Sequence, residues 1–243
     1  MIRTAWKAAR VLKLRQFALQ REACALCAFG FTARLAHDET AVRCPRCGAS
    51  AITQSLVDVL AGITRDLSRV DACELSSRGG LVDWLAVRAQ SLATSEYFQG
   101  LASGQTHQGV MCQDVQRLSY ADASFDLCTS TEVFEHVEDD AAGFRELLRV
   151  LRPRGWLVFT VPLDPNGLTL ERTQLQDGRR ISILPAEYHT DSYRGHRVFC
   201  YRYYGADILD RLRAAGFAEA DLRFPGRRLF GFGRPVVVAR KAG

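Results

Sequence analysis

The chain has 243 residues, 47% hydrophobic and 24% charged, enough for one sizeable core plus a small appendage. It has no run of eighteen apolar residues, which excludes a membrane-spanning helix. The net charge of +5 is uneven: residues 1–50 hold nine Lys/Arg against three Asp/Glu and the remainder 23 against 24, so composition offers no basic stripe across the larger part of the chain for nucleic acid.

In residues 3–20, Arg3, Lys7, Arg10, Lys13 and Arg15 alternate with Trp6, Val11, Leu12, Leu14, Phe17 and Leu19. The spacing predicts a basic amphipathic helix over residues 1–22. Such a helix either lies on an anionic membrane or acidic partner, or packs on its own protein. It lacks the continuous apolar segment and cleavage site of a secretory signal, so a cytoplasmic protein is expected. Over residues 23–50, Cys24, Cys27, Cys44 and Cys47 form a C-x2-C-x16-C-x2-C pattern, with Pro45 and Gly48 around the second pair. Two such knuckles complete a tetrahedral four-thiolate set, the pattern of a zinc ribbon. With all four positions taken by protein sulfur, the expected Zn2+ is structural. The remaining cysteines, Cys73, Cys112, Cys128 and Cys200, stand singly among apolar residues and read as small buried side chains.

Residues 51–243 read as one domain. Ile52, Leu56, Val59, Leu60, Ile63, Leu67 and Val70 share one face, which predicts a helix over 51–70. A strand, a turn and a helix come next, within DACELSSRGGLVDWLAVRA. Ser91 to Tyr97 predicts a second strand closing on Glu96, an acid placed where paired carboxylate oxygens take the hydroxyls of a ribose. Gln108 to Gln113 predicts a third strand ended by Asp114. Phe125 to Thr129 suits a buried strand, and Ser130 to Asp140 a polar connection. Phe144, Leu147, Leu148 and Leu151 give a one-faced helix, and Trp156 to Val161 a further strand. Strand, loop, helix and strand form a βαβ unit, hence a parallel sheet with its chemistry beyond the carboxyl ends, at Thr129 to His136. An insertion at about 164–197 breaks the alternation and is long enough to cover a substrate. It carries Glu187, Tyr188, His189, Asp191 and Tyr193. Ile208, Leu209, Leu212 and Ala215 predict a last helix capped by Gly216, and Ala220–Phe224 with Pro235–Arg240 a terminal hairpin. Its loop, GRRLFGFGR, reads as a solvated tip or an anion contact through Arg227, Arg228 and Arg234.

From Asp114 to Pro162 the order of motifs resembles the class I S-adenosylmethionine-dependent methyltransferases, in particular their type 11-like branch. The matching residues are Asp114, then Leu118, Ser119, Tyr120, Asp122, Ser124, Phe125 and Asp126, then Glu135, His136 and Val137, then Arg149, Leu151, Pro153, Arg154 and Gly155. The resemblance implies a Rossmann-like, mostly parallel sheet ending in an antiparallel hairpin, with the ribbon as an amino-terminal addition. It implies that Glu74 heads the cofactor turn with Ser76 and Gly80, although Ser76 and Arg78 stand at the first two glycine positions. It further implies ribose at Glu96, the adenine amino group at Asp114 with a backbone contact from Val115, and Thr129 and Ser130 under the sulfonium. His136 is a loop-fixing or catalytic residue, and His189 a general base or substrate-orienting residue.

The expected function is methyl transfer from S-adenosylmethionine to a small-molecule or glycan-type acceptor, because the insertion is aromatic and acidic and the main domain is nearly neutral. One alternative is an RNA methyltransferase that binds phosphates through the ribbon and basic helix. The other is a non-catalytic scaffold whose cofactor site has degenerated.

Overall fold

The computed structural model describes residues 13–190 and 197–243. The first twelve residues of the predicted amphipathic helix lie outside these. The remainder of that segment does not form the helix: Leu14–Gln16 is one 3-10 turn and Ala18–Gln20 a strand, β1. Pairing overrides the helical spacing here, because β1 lies antiparallel to β2 (Thr32–Arg34), which in turn pairs with β3 (Val42–Arg43). These three short strands carry the two cysteine loops.

Ser50 caps the next element, α1 (Ala51–Ile63), by accepting the Thr53 amide at 3.1 Å. The helix stops short of the predicted residue 70. Thr64 is extended at its C-cap, and Asp66 Oδ1 takes the Ser68 amide at 2.9 Å in an Asx turn, so a loop rather than a helix buries Leu67.

The main sheet contains β4 (Asp71–Glu74), β5 (Ser91–Thr94), β6 (Phe125–Thr131), β7 (Leu151–Thr160), β8 (Glu219–Arg223) and β9 (Val236–Arg240), in the order β8-β9-β7-β6-β4-β5. β5, β4, β6 and β7 run parallel, while β9 and β8 close the far edge antiparallel. Alternate strand residues feed two cores. Ala72, Leu127, Val158 and Val238 face α1, α2 (Gly80–Ala86) and the cysteine module. Cys73, Cys128, Leu157, Phe159 and Val237 face α3 (Asp140–Val150) and α4 (Ile208–Ala215). Gly216 ends α4 in the left-handed region at φ 111°, as its sequence position predicts.

The third predicted strand is corrected. Gln108 and Gly109, at φ 50° and 78°, turn the chain between Thr106–His107 and Val110–Met111. Among the described residues a single parallel bridge, Glu96 to Cys112, continues the sheet beyond β5. α3 ends at Val150 and β7 starts at Leu151, so Pro153 lies in the strand, beside a bulge between the β6 residues Phe125 and Leu127.

The insertion is built of paired strands. Arg202–Gly205 pairs parallel with Leu163–Asp164 and antiparallel with Leu170–Glu171. Thr173–Gln176 forms a hairpin with Arg179–Ser182, and Tyr188–Thr190 pairs with Arg197–Phe199. Asp191 and Tyr193 lie outside the described residues. No helix among the described residues is long and apolar enough to cross a membrane.

The hairpin loop over residues 224–235 is not a solvated tip. Arg227 pairs with Asp58 at 3.4 Å and donates to the Ala23 carbonyl at 2.8 Å, and the Phe230 amide donates to Gln20 Oε1. Arg234 pairs with Glu39. The loop fastens the cysteine module to the sheet.

Candidate functional site

The cysteine module brings four thiols together by local backbone geometry. In the first loop the Ala28 amide donates to the Cys24 carbonyl at 2.9 Å, and in the second the Gly48 amide donates to the Cys44 carbonyl at 2.9 Å. Each loop therefore presents two sulfurs to the other. Cys24 Sγ lies 3.6 Å from Cys47 Sγ and Cys27 Sγ 3.5 Å from Cys44 Sγ, and all four sulfurs lie within 4.8 Å of one another. These spacings are far too long for disulfides. They approach the edge of about 3.8 Å in a tetrahedron with arms of ~2.3 Å, the sulfur geometry of zinc. The donor set fits such an ion. The Leu26 amide also points at Cys24 Sγ, 3.4 Å away, as an amide does toward a thiolate.

The module touches the predicted cofactor turn directly. A Cβ on Gly80 would come within 3.2 Å of Ala49 Cβ and 3.3 Å of Leu26 Cδ2. The last glycine of the turn is thus held by contact with the cysteine loops. Gly79, at φ 113°, supplies the unusual backbone angle.

The parallel strands set the remaining predicted residues along one carboxyl edge. Glu74, at the end of β4, is fully buried and accepts a hydrogen bond from the Thr129 hydroxyl on β6. Burial lifts its carboxyl to about 8, against the Thr129 hydrogen bond and with a further push from Glu96. Glu96 Oε1 accepts from the Ser77 amide at 3.2 Å and hydroxyl at 2.9 Å, and lies 3.8 Å from Arg78 Nε. The acid expected to bind ribose is therefore held by the turn that the sequence makes glycine-poor. Ser76 donates its hydroxyl to the Arg78 carbonyl at 3.1 Å, which shapes that turn. Asp114 closes an Asx turn, its Oδ1 taking the Gln116 amide at 2.9 Å, and the side chain of Val115 is buried in the core. Ser130 is fully buried, and its hydroxyl has no partner among the described residues, nor has that of Thr131 beside it. An unpaired buried polar atom costs about 1–3 kcal/mol. Such groups gathered at one strand edge mark where a ligand's polar atoms belong.

Beyond this edge the connection 132–139 and the insertion bring together residues distant in sequence. Glu135 is fully buried, with its Oε1 3.7 Å from His136 Nε2 and 3.6 Å from His189 Nδ1. The two rings meet edge to face at 4.9 Å. His136 Nδ1 lies 2.8 Å from the Phe199 carbonyl, so this histidine fastens the insertion to the connection. The Glu135 carboxylate raises the His189 imidazole above its usual range, against partial desolvation. Cys200 is buried 3.8 Å from His136 Nδ1.

Two guanidinium groups, that of buried Arg202 and that of half-buried Arg234, hold this region; the sequence reading offers Arg234 only as an anion contact and does not select Arg202. Arg202 donates to the carbonyls of Val137 at 2.5 Å and Glu138 at 2.9 Å and pairs with Glu171. Arg234 joins Glu39 of the cysteine module to Glu132, 3.3 Å away at the strand edge. Burial, with the Glu135 charge, lifts the Glu132 carboxyl to about 7 although Arg234 opposes it. The available signal was an isolated arginine in an apolar context, which does not name its partner.

Residues 71–159 match the family described as Methyltransferase domain. The fold is that of the class I methyltransferases. The [4+2]-cyclase SpnF is 18% identical, with a TM-score of 0.54 over 78% of this chain and 82% of its own. The Burkholderia thailandensis 1,6-didemethyltoxoflavin-N1-methyltransferase, solved with 1,6-didemethyltoxoflavin and S-adenosylhomocysteine, is 16% identical, with a TM-score of 0.51 over 79% of each chain. Comparison with curated proteins gives no match. The matched segment runs from the start of β4 into β7 and holds Glu74, Glu96, Asp114, Thr129 and Ser130.

Proposed function

We propose that the chain is an S-adenosylmethionine-dependent methyltransferase acting on a small-molecule or glycan-type acceptor, with a structural zinc ion in its cysteine module. The observation that carries this is the parallel edge itself. Within the matched segment, Glu74, Thr129 and Ser130 stand at the ends of neighbouring strands, and the hydroxyls of Ser130 and Thr131 have no partner among the described residues. S-adenosylmethionine, when bound, supplies an already activated methyl group, so the protein's task is orientation.

In this reading Glu74, Ser76, Gly80, Glu96, Asp114, Val115, Thr129 and Ser130 hold the cofactor. Glu96 must exchange Ser77 and Arg78 for the ribose hydroxyls, and Asp114 must share its carboxylate with the Gln116 turn. His136 and His189, on either side of Glu135, face the acceptor. Exposed Tyr188 and Tyr203 and the acids of the insertion suit a neutral or hydroxylated acceptor better than a polyphosphate. The four thiolates brace the turn from behind through Leu26 and Ala49.

Incubating the protein with methyl-labelled S-adenosylmethionine and a fractionated cell extract tests the assignment. Label is expected in small-molecule or glycan fractions, and label confined to RNA would overturn the acceptor class. RNA is disfavoured because Arg227 and Arg234 of the basic loop already pair with Asp58 and Glu39. One observation favours a second reading, a scaffold with a closed cofactor site: Arg78 and Ser77 occupy Glu96. No detectable binding of S-adenosylmethionine by calorimetry would establish that alternative.

A further inference from the structure

We propose that His136, His189 and Cys200, beside the buried carboxylate of Glu135, form a second metal site, separate from the cysteine module, for a divalent ion of the zinc class. The starting point is a deficit. Glu135 is fully buried, and neither carboxylate oxygen has a hydrogen-bond partner among the described residues. A carboxylate withdrawn from water in this way needs a cation or several donors. Both neighbouring imidazoles stand off at 3.6 and 3.7 Å, too far for hydrogen bonds. Those distances suit donors sharing one ion, since a tetrahedron with arms of about 2.0–2.1 Å has edges of ~3.4 Å.

The donors have the right chemistry and are already oriented. Ligand atoms of His136, His189 and Cys200 all lie within 4.8 Å of one another, the same spread as the four sulfurs of the cysteine module. The Phe199 carbonyl lies 2.8 Å and Cys200 Sγ 3.8 Å from His136 Nδ1, while His136 Nε2 faces Glu135. Ligating histidines are commonly fixed by such an outer hydrogen bond. The backbone holds the two sides in register: the Tyr201 amide donates to the Glu135 carbonyl at 2.8 Å and the Cys200 amide to the Glu187 carbonyl at 2.9 Å. Buried Arg202 fixes the connection behind Glu135 through the Val137 and Glu138 carbonyls. Mixed nitrogen, oxygen and sulfur donors select zinc and its neighbours over magnesium or calcium.

A small recess lined by Pro162, Arg172, Glu187, Arg202 and Tyr203 reaches the site from the insertion side, next to His189 and Cys200. An acceptor oxygen entering it would meet the ion. This use of the ion rests on the methyltransferase reading, whereas the presence of the site does not.

The test is a metal count on the full chain, loaded with Zn2+, dialysed against zinc-free buffer and measured by atomic emission and native mass spectrometry. The readout is the difference between the wild type and variants, so it does not depend on how much metal the cysteine module retains. His189→Ala, at a partly exposed side chain, is expected to hold one zinc fewer per chain than the wild type, and Glu135→Gln likewise. Far-UV circular dichroism checks folding, and should Glu135→Gln fail to fold, His189→Ala alone decides. An equal zinc content in wild type and His189→Ala overturns the site and leaves Glu135 paired with protonated histidine. Methyl transfer without the extra ion would sink this proposal alone. The extra ion without methyl transfer would sink the proposed reaction alone.

Discussion

The cysteine module and the cofactor edge place their functional groups by opposite means. In the module, each pair of thiols is set by one short loop, with an amide closing back onto the carbonyl of the first cysteine. At the edge, Glu74 meets Thr129 across 55 residues of chain, and Glu96 and Asp114 are engaged with the turns beside them, while the Ser130 hydroxyl has no partner among the described residues. The first arrangement brings its four sulfurs together without drawing on distant parts of the chain. The second must trade internal contacts for external ones, so its affinity is a difference between two sets of hydrogen bonds.

Removing the ion from the module should have the largest effect. Structural zinc supplies on the order of 10 kcal/mol to segments of this kind, and the module contributes Leu26 and Ala49 to the wall behind Gly80. Chelation, or Cys44→Ser, is expected to abolish the main thermal transition of the module and weaken S-adenosylmethionine binding together. An unchanged melting curve after chelation would mean that the apolar contacts of Leu56, Leu60 and Leu81 suffice.

At the edge, the buried carboxyl of Glu74 makes stability depend on pH. Its folded value of about 8 lies above the ordinary 4.5, so the folded chain keeps a proton that the unfolded chain sheds. That contribution is complete below about pH 4.5 and is lost as pH rises through 8. Glu74→Gln has no such loss. The melting gap between variant and wild type should therefore widen in the variant's favour by roughly 4 kcal/mol from about pH 5 to about pH 9. A gap independent of pH would show that Glu74 ionises normally.

The exchange at Glu96 predicts effects of opposite sign from neighbouring residues. Glu96→Ala is expected to weaken S-adenosylmethionine binding at least tenfold. Arg78→Ala frees Glu96 from a partly exposed partner and should tighten binding several-fold, an effect that shrinks as salt is raised. Calorimetric titration of both variants checks this. Weaker binding in Arg78→Ala would make Arg78 a cofactor contact.

How far the sequence could be read divides along the same line. The cysteine pattern was legible because ligand spacing along the chain is the geometry, and β6, α3 and β7 were legible from apolar period alone. The third predicted strand fails at Gln108-Gly109, a turn at positive φ that an apolar pattern does not report. Glu96, Asp114 and His189 could be placed at element ends, but not their present partners. Arg234 lies 195 residues from Glu39, and Arg202 lies 65 from Val137. Pairings at that range depend on tertiary packing and leave no periodic trace.

The smallest effect sharpens the comparison within the module. Ala28 and Gly48 occupy equivalent places four residues after Cys24 and Cys44, at φ 56° and 74°. An L side chain in that region costs about 1–2 kcal/mol, while glycine adds back ~0.4–1 kcal/mol of unfolded-chain entropy. Gly48→Ala should therefore destabilise the metal-loaded chain by up to about 1 kcal/mol, and Ala28→Gly should stabilise it by a similar or smaller amount. Thermal melts in saturating zinc measure both. If the two loops bear the ion equally, the two shifts will be close in size and opposite in sign. A clear excess at Gly48 would instead mean that the second loop, which runs on through Ser50 into α1, carries more of the strain than the first.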